Sequence, residues 1–160
     1  MHIAVLSDTH LRAGRSLPKV VWEQLAEADL ILHAGDLTHS GLLAELSLLA
    51  PVKAVCGNCD SWDVNLPNQE WIECESFKIG LIHGHQGQGK TTLERAFKAF
   101  APKPVDVIVF GHSHTPTLEW HNGVLMFNPG SPTDKRREPQ YSFGWLDVQA
   151  GQVNAKHFYF

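Results

Sequence analysis

The stretch "HGHQGQGKTT", residues 83–92, supports two readings that lead to different folds. Gly84 to Thr91 fits G-x-x-x-x-G-K-[ST], the loop whose amides cradle phosphate in many nucleotide hydrolases. Taken from its head, the same stretch is a histidine pair, His83 and His85, placed just beyond an apolar run. The flanking sequence decides between them. "FKIGLIH" reads as a strand and "TTLERAFKAF" (91–100) as a helix stopped by Pro102, which suits either reading. A nucleotide hydrolase then needs an apolar strand ending in an aspartate that organises Mg²⁺. The next strand, "VDVIVF" (105–110), ends instead in Gly111-His112-Ser113-His114. Seventy residues follow Lys90, and most read as hairpins, which leaves little room for further parallel strands. Lys90 is therefore expected to be exposed or near a substrate phosphate.

Upstream, short apolar runs alternate with helical patterns. "HIAVLS" (2–7), "LILH" (30–33) and "VKAVC" (52–56) read as strands. Residues 17–28 form a helical pattern through Val20, Val21, Leu25 and Ala28, and residues 40–50 form another, with Ser40 as its cap. "EWIECES" and "FKIGLIH" (70–83) read as a strand pair. Downstream, "TLEWHNGVLMFN" (117–128) is a hairpin turning at Asn122-Gly123, and "YSFGWLDV" with "QVNAKHFYF" forms a second around Ala150-Gly151. Strand–helix repeats followed by hairpins predict an α/β protein with a mixed sheet, or two packed sheets with outer helices. Neither repeat nor linker interrupts the chain, so residues 1–160 are expected to form a single domain.

Bulk properties narrow the function classes. The net charge of −4 gives no electrostatic reason to expect a nucleic-acid partner, so nucleic acid is disfavoured. No apolar run approaches the ~20 residues that span a bilayer, and "MHIAVLSDTH" has no secretion pattern, so a cytoplasmic protein without a membrane partner is expected. The three cysteines, Cys56, Cys59 and Cys74, argue against a disulfide framework. Cys56 and Cys59 form C-x-x-C, but a loop-like segment follows them rather than a helix, and no second pair completes a zinc site.

Histidine is the unusual residue, ten in all, and it clusters in pairs. The apolar runs share an ending. "IAVLS" leads to Asp8 and His10, "LILHAG" to Asp36, "VKAVCG" to Asn58, "IGLI" to His83, and "VIVFG" to His112 and His114. Five strands thus deliver seven oxygen or nitrogen ligands past their carboxyl ends, the edge where open α/β sheets form ligand crevices. Any one of these residues alone reads as a turn former or a solvated side chain. Together, carboxylate, amide and imidazole without thiolate suit Mn²⁺, Fe, Zn²⁺, Ni²⁺ or Co²⁺. Seven ligands exceed the needs of one ion with an open position and suit two ions ~3.5–4 Å apart that share a carboxylate.

The ordered set Asp8-x-His10, Gly35-Asp36, Gly57-Asn58-x-Asp60, His83-Gly84-His85 and Gly111-His112-Ser113-His114 resembles the motifs of the calcineurin-like metallophosphoesterases, most nearly their short YfcE-type phosphodiesterases. "NPGS" (128–131) also resembles that subgroup. The resemblance implies a four-layer αββα sandwich, two mixed β-sheets flanked by helices. It implies that Asp8, His10 and His114 hold one metal, that Asn58, His83 and His112 hold a second, and that Asp36 bridges both. Many relatives carry histidine where Cys59 stands, near the leaving group; a thiol with an ordinary pKa of ~8.5 is a poor proton donor there. His85 is then a candidate donor, and Asp60 is expected to orient the loop. Lys135-Arg136-Arg137 reads as a solvated turn that can set one arginine, Arg136, beside the phosphate's non-bridging oxygens.

The expected function is dinuclear hydrolysis of a small phosphoester, most simply a diester, by attack of a metal-bridging hydroxide, with Mn²⁺ as the first metal to try. The catalytic set is Asp36, Asn58 and His85, with Cys59 and Arg136 facing substrate. The alternatives are a phosphomonoesterase or nucleotidase at the same metals, and a non-catalytic binding scaffold of the same fold, the use to which retromer subunits put it. A homo-oligomer is compatible with the sequence.

Overall fold

The computed structural model describes all residues, 1–160. Two five-stranded mixed sheets face each other. The first has the order β10-β9-β1-β2-β3 and the second β4-β5-β6-β8-β7. In chain order the strands are β1 (His2–Leu6), β2 (Leu30–His33), β3 (Val52–Ala54), β4 (Gln69–Cys74), β5 (Phe77–Ile82), β6 (Val107–Val109), β7 (Thr117–His121), β8 (Val124–Asn128), β9 (Ser142–Gln149) and β10 (Gln152–Tyr159). The helices are α1 (Lys19–Leu25), α2 (Gly41–Leu46) and α3 (Thr92–Ala99).

The apolar runs are continuous rather than alternating because the central strands are buried on both faces. In β1, Ile3 and Val5 enter the core between the sheets, where they meet Leu32, Leu81, Val107, Val109 and Phe127. The alternate residues Ala4 and Leu6 pack outward against Val21 and Leu25 of α1 and Leu42 and Leu46 of α2. On the far side, Ala96 and the nearby Phe100 cover Ile108 and Met126 of the second sheet. The layers are helix, sheet, sheet, helix, as the family resemblance implied.

Local chemistry sets the element ends. Thr91 caps α3 by accepting the Glu94 amide at 3.1 Å, and the Glu94 carboxylate accepts the Lys90 amide at 2.8 Å. The expected Ser40 cap is corrected: its hydroxyl donates to Asp63 at 2.7 Å, and α2 starts without a side-chain cap. Both N-terminal helices are shorter than their apolar spacing predicts and relax into turns after Leu25 and Leu46. The hairpins turn where expected, with positive φ at Asn122-Gly123 and at Ala150-Gly151.

For the site, the parallel strands matter most. β1 pairs in parallel with β2 and β2 with β3; β5 pairs in parallel with β6. The loops that leave these five strands meet along one edge. The Asp8 amide donates to the Gly35 carbonyl at 3.0 Å, the Gly111 amide to the His83 carbonyl at 3.2 Å, and His83 reaches across the sheets to the Ala34 carbonyl at 2.7 Å.

Candidate metal centre

Each of these loops leaves its strand by a bend that the backbone resists. Asp8, His10, Asp36, His112 and His114 all have positive φ, between 44° and 64°. Non-glycine residues take that region at a cost of ~1–3 kcal/mol each and keep it where the surroundings enforce it. Here the enforcement comes from close backbone approach, which explains two of the glycines in the motif set. A methyl group on Gly57 would stand 2.2 Å from Asp36 Oδ1, and one on Gly111 would stand 1.9 Å from Ser7 Oγ.

The bends turn the side chains to a common centre. His114 Nε2 lies 3.1 Å from His10 Nε2 and 3.4 Å from Asp8 Oδ1. Asp36 Oδ2 lies 3.3 Å from His83 Nε2 and 3.5 Å from His10 Nε2. Three groups of side chains bring their ligand atoms within 4.8 Å of one another: Asp8, His10 and His114; Asp8, Asp36 and His83; and His10, Asp36 and Cys59. Asn58 joins through Oδ1, 3.2 Å from His83 Nε2. His112 stands beside rather than within these groups, with its ring centroid 5.2 Å from that of His83 and 6.2 Å from that of His85.

The histidine tautomers favour a cation. His83 Nδ1 donates to the Ala34 carbonyl at 2.7 Å, and His114 Nδ1 donates to the Asp134 carbonyl at 2.5 Å. In its neutral form each ring therefore carries its proton on Nδ1 and turns a lone pair on Nε2 into the centre, the arrangement by which backbone carbonyls orient metal-ligating imidazoles. Two carboxylates with imidazole and amide ligands make a nitrogen–oxygen set that fits a divalent first-row ion.

The electrostatics suit a cation. Burial pushes the Asp8 carboxyl up, against the opposing charges of His83 and His114 and the hydroxyl of Ser7. Burial works in the same direction on Asp36, but His83, the Cys59 amide and His10 outweigh it and hold that carboxyl below its usual range. His83 is raised: burial opposes its protonation, but the hydrogen bond to Asp36 and the charges of Asp8 and Asp36 prevail. Burial, then His83 and Arg95, push His112 down to about 4, so at neutral pH it holds the neutral form that ligates metal.

A supporting layer surrounds these residues. Asp60 accepts amides from Asp36 (3.1 Å), Gly57 (2.7 Å) and Thr38 (2.7 Å), the orienting role expected of it. The 128–131 turn acts as a clamp: Asn128 Nδ2 donates to the Gly111 carbonyl at 2.9 Å, and Ser131 Oγ donates to the Asp8 carbonyl at 2.7 Å. Thr133 Oγ1 donates to the Thr9 carbonyl. Sequence reasoning missed His33. It is wholly buried, accepts the Gly35 amide at Nδ1 (3.2 Å), and its Nε2 meets Thr9 Oγ1 at 3.1 Å, tying the Asp8 loop to the Asp36 loop. The signal was its place as the last residue of "LILH", where a buried polar group needs partners.

The remaining candidates lie around the mouth. Asn58 and Cys59 are exposed, and the Cys59 amide donates to Asp36 Oδ1 at 2.7 Å. Burial and then the Asp36 charge push the Cys59 thiol up, and Arg136 is near enough to oppose them. His85 is half-buried, its ring centroid 5.3 Å from that of His83, with Nδ1 unpartnered. The phosphate-loop reading fails on polarity. Arg95 donates from Nε to the Gly84 carbonyl at 2.8 Å and from Nη1 to the Gly89 carbonyl at 3.5 Å, so the loop turns carbonyls toward a cation where a phosphate cradle presents amides. Lys90 is exposed. Cys56, Cys59 and Cys74 are all free thiols.

Comparison with known proteins agrees with this geometry. The sequence profile of the Calcineurin-like phosphoesterase superfamily domain matches residues 1–151. A protein of Methanothermobacter thermautotrophicus named as a probable metallophosphoesterase is 39% identical over 138 residues, covering 85% of this chain and 80% of that one. The structure of Vps29 from Entamoeba histolytica complexed with Zn²⁺ is similar with a TM-score of 0.76 at 25% identity, over 99% of both chains. A structure described as a novel archaeal phosphodiesterase is similar with a TM-score of 0.72 at 23% identity, over 99% of this chain and 100% of that one, a likeness of fold. The chain belongs to the calcineurin-like phosphoesterase superfamily.

Proposed function

We propose that this protein is a dinuclear metal-dependent phosphodiesterase acting on small phosphoesters. The observation that carries this reading is the coincidence of bent backbone and convergent ligand: five of the seven candidate ligands hold positive φ, and four of those five, Asp8, His10, Asp36 and His114, bring their ligand atoms together with that of His83. A scaffold with no metal to hold has no use for that expense.

Asp8, His10 and His114 would hold one divalent ion, Asn58, His83 and His112 a second, with Asp36 between them; Mn²⁺ is the first candidate, then Ni²⁺, Fe, Zn²⁺ and Co²⁺. Bound there, the ions supply Lewis acidity, which lowers the pKa of water and offsets charge on the phosphoryl oxygens. The chain's own residues do the rest. The Ala34 and Asp134 carbonyls fix the tautomers of His83 and His114. Asp60 and the Cys59 amide fix Asp36. Asn58 and Cys59 are exposed at the mouth, an open rim that suits the second esterified group of a diester. His85, its ring centroid 5.3 Å from that of His83, is the candidate donor of a proton to the departing oxygen; burial and then the charge of His83 push its pKa down, so donation from it weakens as pH rises.

The test compares bis-p-nitrophenyl phosphate, p-nitrophenyl phosphate and ATP with Mn²⁺ supplied, using wild type, Asp36→Asn and Lys90→Ala. The diester should be the best substrate, Asp36→Asn should lose at least ~100-fold in kcat/KM, and Lys90→Ala should behave as wild type. Loss of turnover in Lys90→Ala with retention in Asp36→Asn would reverse the conclusion.

A further inference from the structure

Every arginine of this net-acidic chain lies at or beside the candidate metal centre. There are five, Arg12, Arg15, Arg95, Arg136 and Arg137, while all but one of the eight lysines lie elsewhere. Arg136 and Arg137 line a cavity of about 450 Å³ on the His114 side, with Lys135. Arg12 and Arg15 line a separate cavity of about 350 Å³ on the His10 side, with Thr9 and Thr133. Arg95 is spent within the chain, on the carbonyls of the 84–89 loop.

Arg12 and Arg15, like Arg137, have no partner within the chain. Neither has a carboxylate within 4.0 Å, and neither side chain makes a hydrogen bond to the protein, whereas Arg136 faces Asp134 at 3.9 Å and Lys135 donates to the Glu138 carbonyl. Asp134 borders their cavity, but its carboxylate is turned to His114 Nδ1 (3.7 Å) and Arg136. The two arginines are held by a turn rather than a loose strap. The Arg15 amide donates to the Arg12 carbonyl at 3.0 Å, and Leu11 and Leu17 anchor both flanks in the core. Both side chains are exposed and border one cavity, and the guanidinium fork matches phosphate oxygens two at a time. His10 connects the cavity to the centre, with its Nε2 3.5 Å from Asp36 Oδ2.

The geometry points to a second anion subsite: Arg12 and Arg15 receive a non-scissile phosphate of the substrate, so phosphoesters that carry a further phosphate group are selected. This rests on the hydrolase reading above. Arg136 lines the cavity that His114 borders, and Arg12 and Arg15 line the one that His10 borders, so both cavities adjoin candidate ligands of the same metal.

The test uses a matched pair of esters with Mn²⁺-loaded protein: thymidine 5′-(p-nitrophenyl phosphate), and the same ester bearing a 3′-phosphate. Wild type should favour the 3′-phosphorylated ester by about tenfold in kcat/KM, chiefly through KM, a modest figure for two exposed guanidinium contacts. Arg12→Gln/Arg15→Gln should bring that ratio to about one, and Lys19→Gln/Lys98→Gln, which removes two exposed cations elsewhere, should keep it. Calorimetry on metal-free protein should show the same pattern for thymidine 3′,5′-bisphosphate against thymidine 5′-monophosphate. A wild-type ratio near one, or a ratio that survives in Arg12→Gln/Arg15→Gln, overturns the subsite. If neither ester is turned over, the hydrolase reading falls, and the calorimetric ratio still decides the subsite.

Discussion

The carboxylate of Asp60 holds the backbone of Asp36 in place: its Oδ2 accepts the Asp36 amide at 3.1 Å and the Gly57 amide at 2.7 Å, while Oδ1 takes the Thr38 amide at 2.7 Å. Asp36 and Thr38 both have positive φ, so one side chain helps to hold two bends. Asp60→Ala leaves three amides without their acceptor. It should weaken Mn²⁺ binding by about 10–100-fold, the usual cost of losing an outer hydrogen-bonding partner, and Asp60→Asn should fall between. Titration against a chelating dye measures this. Wild-type affinity in Asp60→Ala would show that the Asp36 loop holds its shape unaided.

Gly57 tests the same loop by volume. A methyl group there meets Asp36 Oδ1 at 2.2 Å, so Gly57→Ala must push that carboxylate aside and should lose metal binding and turnover together. Gly151 is the control. Its φ is +75° and a methyl group there meets nothing within 4 Å, so Gly151→Ala should cost about 1 kcal/mol of stability through backbone strain and leave turnover intact. Equal loss of activity in both variants would mean that glycine matters at these positions only for folding.

Much of this arrangement was legible before the structure, and for identifiable reasons. Strands buried on both faces leave unbroken apolar runs, so their carboxyl ends, and the residues just beyond, are easy to place. Asn122-Gly123 announces its hairpin because both positions need positive φ. What could not be read was anything fixed by distant partners. Ser40 looks like a cap until Asp63, far along the chain, takes its hydroxyl. The glycine-rich loop looks like a phosphate cradle until Arg95 fills it. His33 looks like the end of a strand, and its bonds to Thr9 and Gly35 exist only once the strands pair.

His33 should leave its mark on acid stability. Burial, then the charge of His83, push it down to about 3, while the unfolded chain titrates near ~6.5. Between those values the unfolded state binds the extra proton, so the stabilising effect is complete above pH ~6.5 and is lost as pH falls toward 3. The effect is on the order of several kcal/mol for so deep a shift. Urea unfolding of metal-free protein from pH 7 to pH 4 should therefore show a falling midpoint. His33→Gln should start from a lower midpoint at pH 7 and decline less steeply. Parallel curves for the two proteins would place the acid sensitivity elsewhere.

His83 has the opposite sign, and metal uptake should reveal it. The hydrogen bond to Asp36 and the charges of Asp8 and Asp36 overcome burial and hold its proton above the usual histidine range. A cation taking Nε2 must displace that proton, because imidazole ligates metal only when neutral. Proton and metal then compete, so Mn²⁺ affinity should climb as pH rises through neutrality, by up to about tenfold per pH unit for one displaced proton, and level off once His83 is neutral in the free protein. Calorimetry in buffers of different ionisation enthalpy counts the protons released. His83→Asn should bind more weakly, release fewer protons and show the shallower pH dependence. An affinity that does not change between pH 6 and pH 8 would mean that the Asp36–His83 pair holds no proton for the metal to displace, and that cation binding relies on the His10–His114 side of the centre.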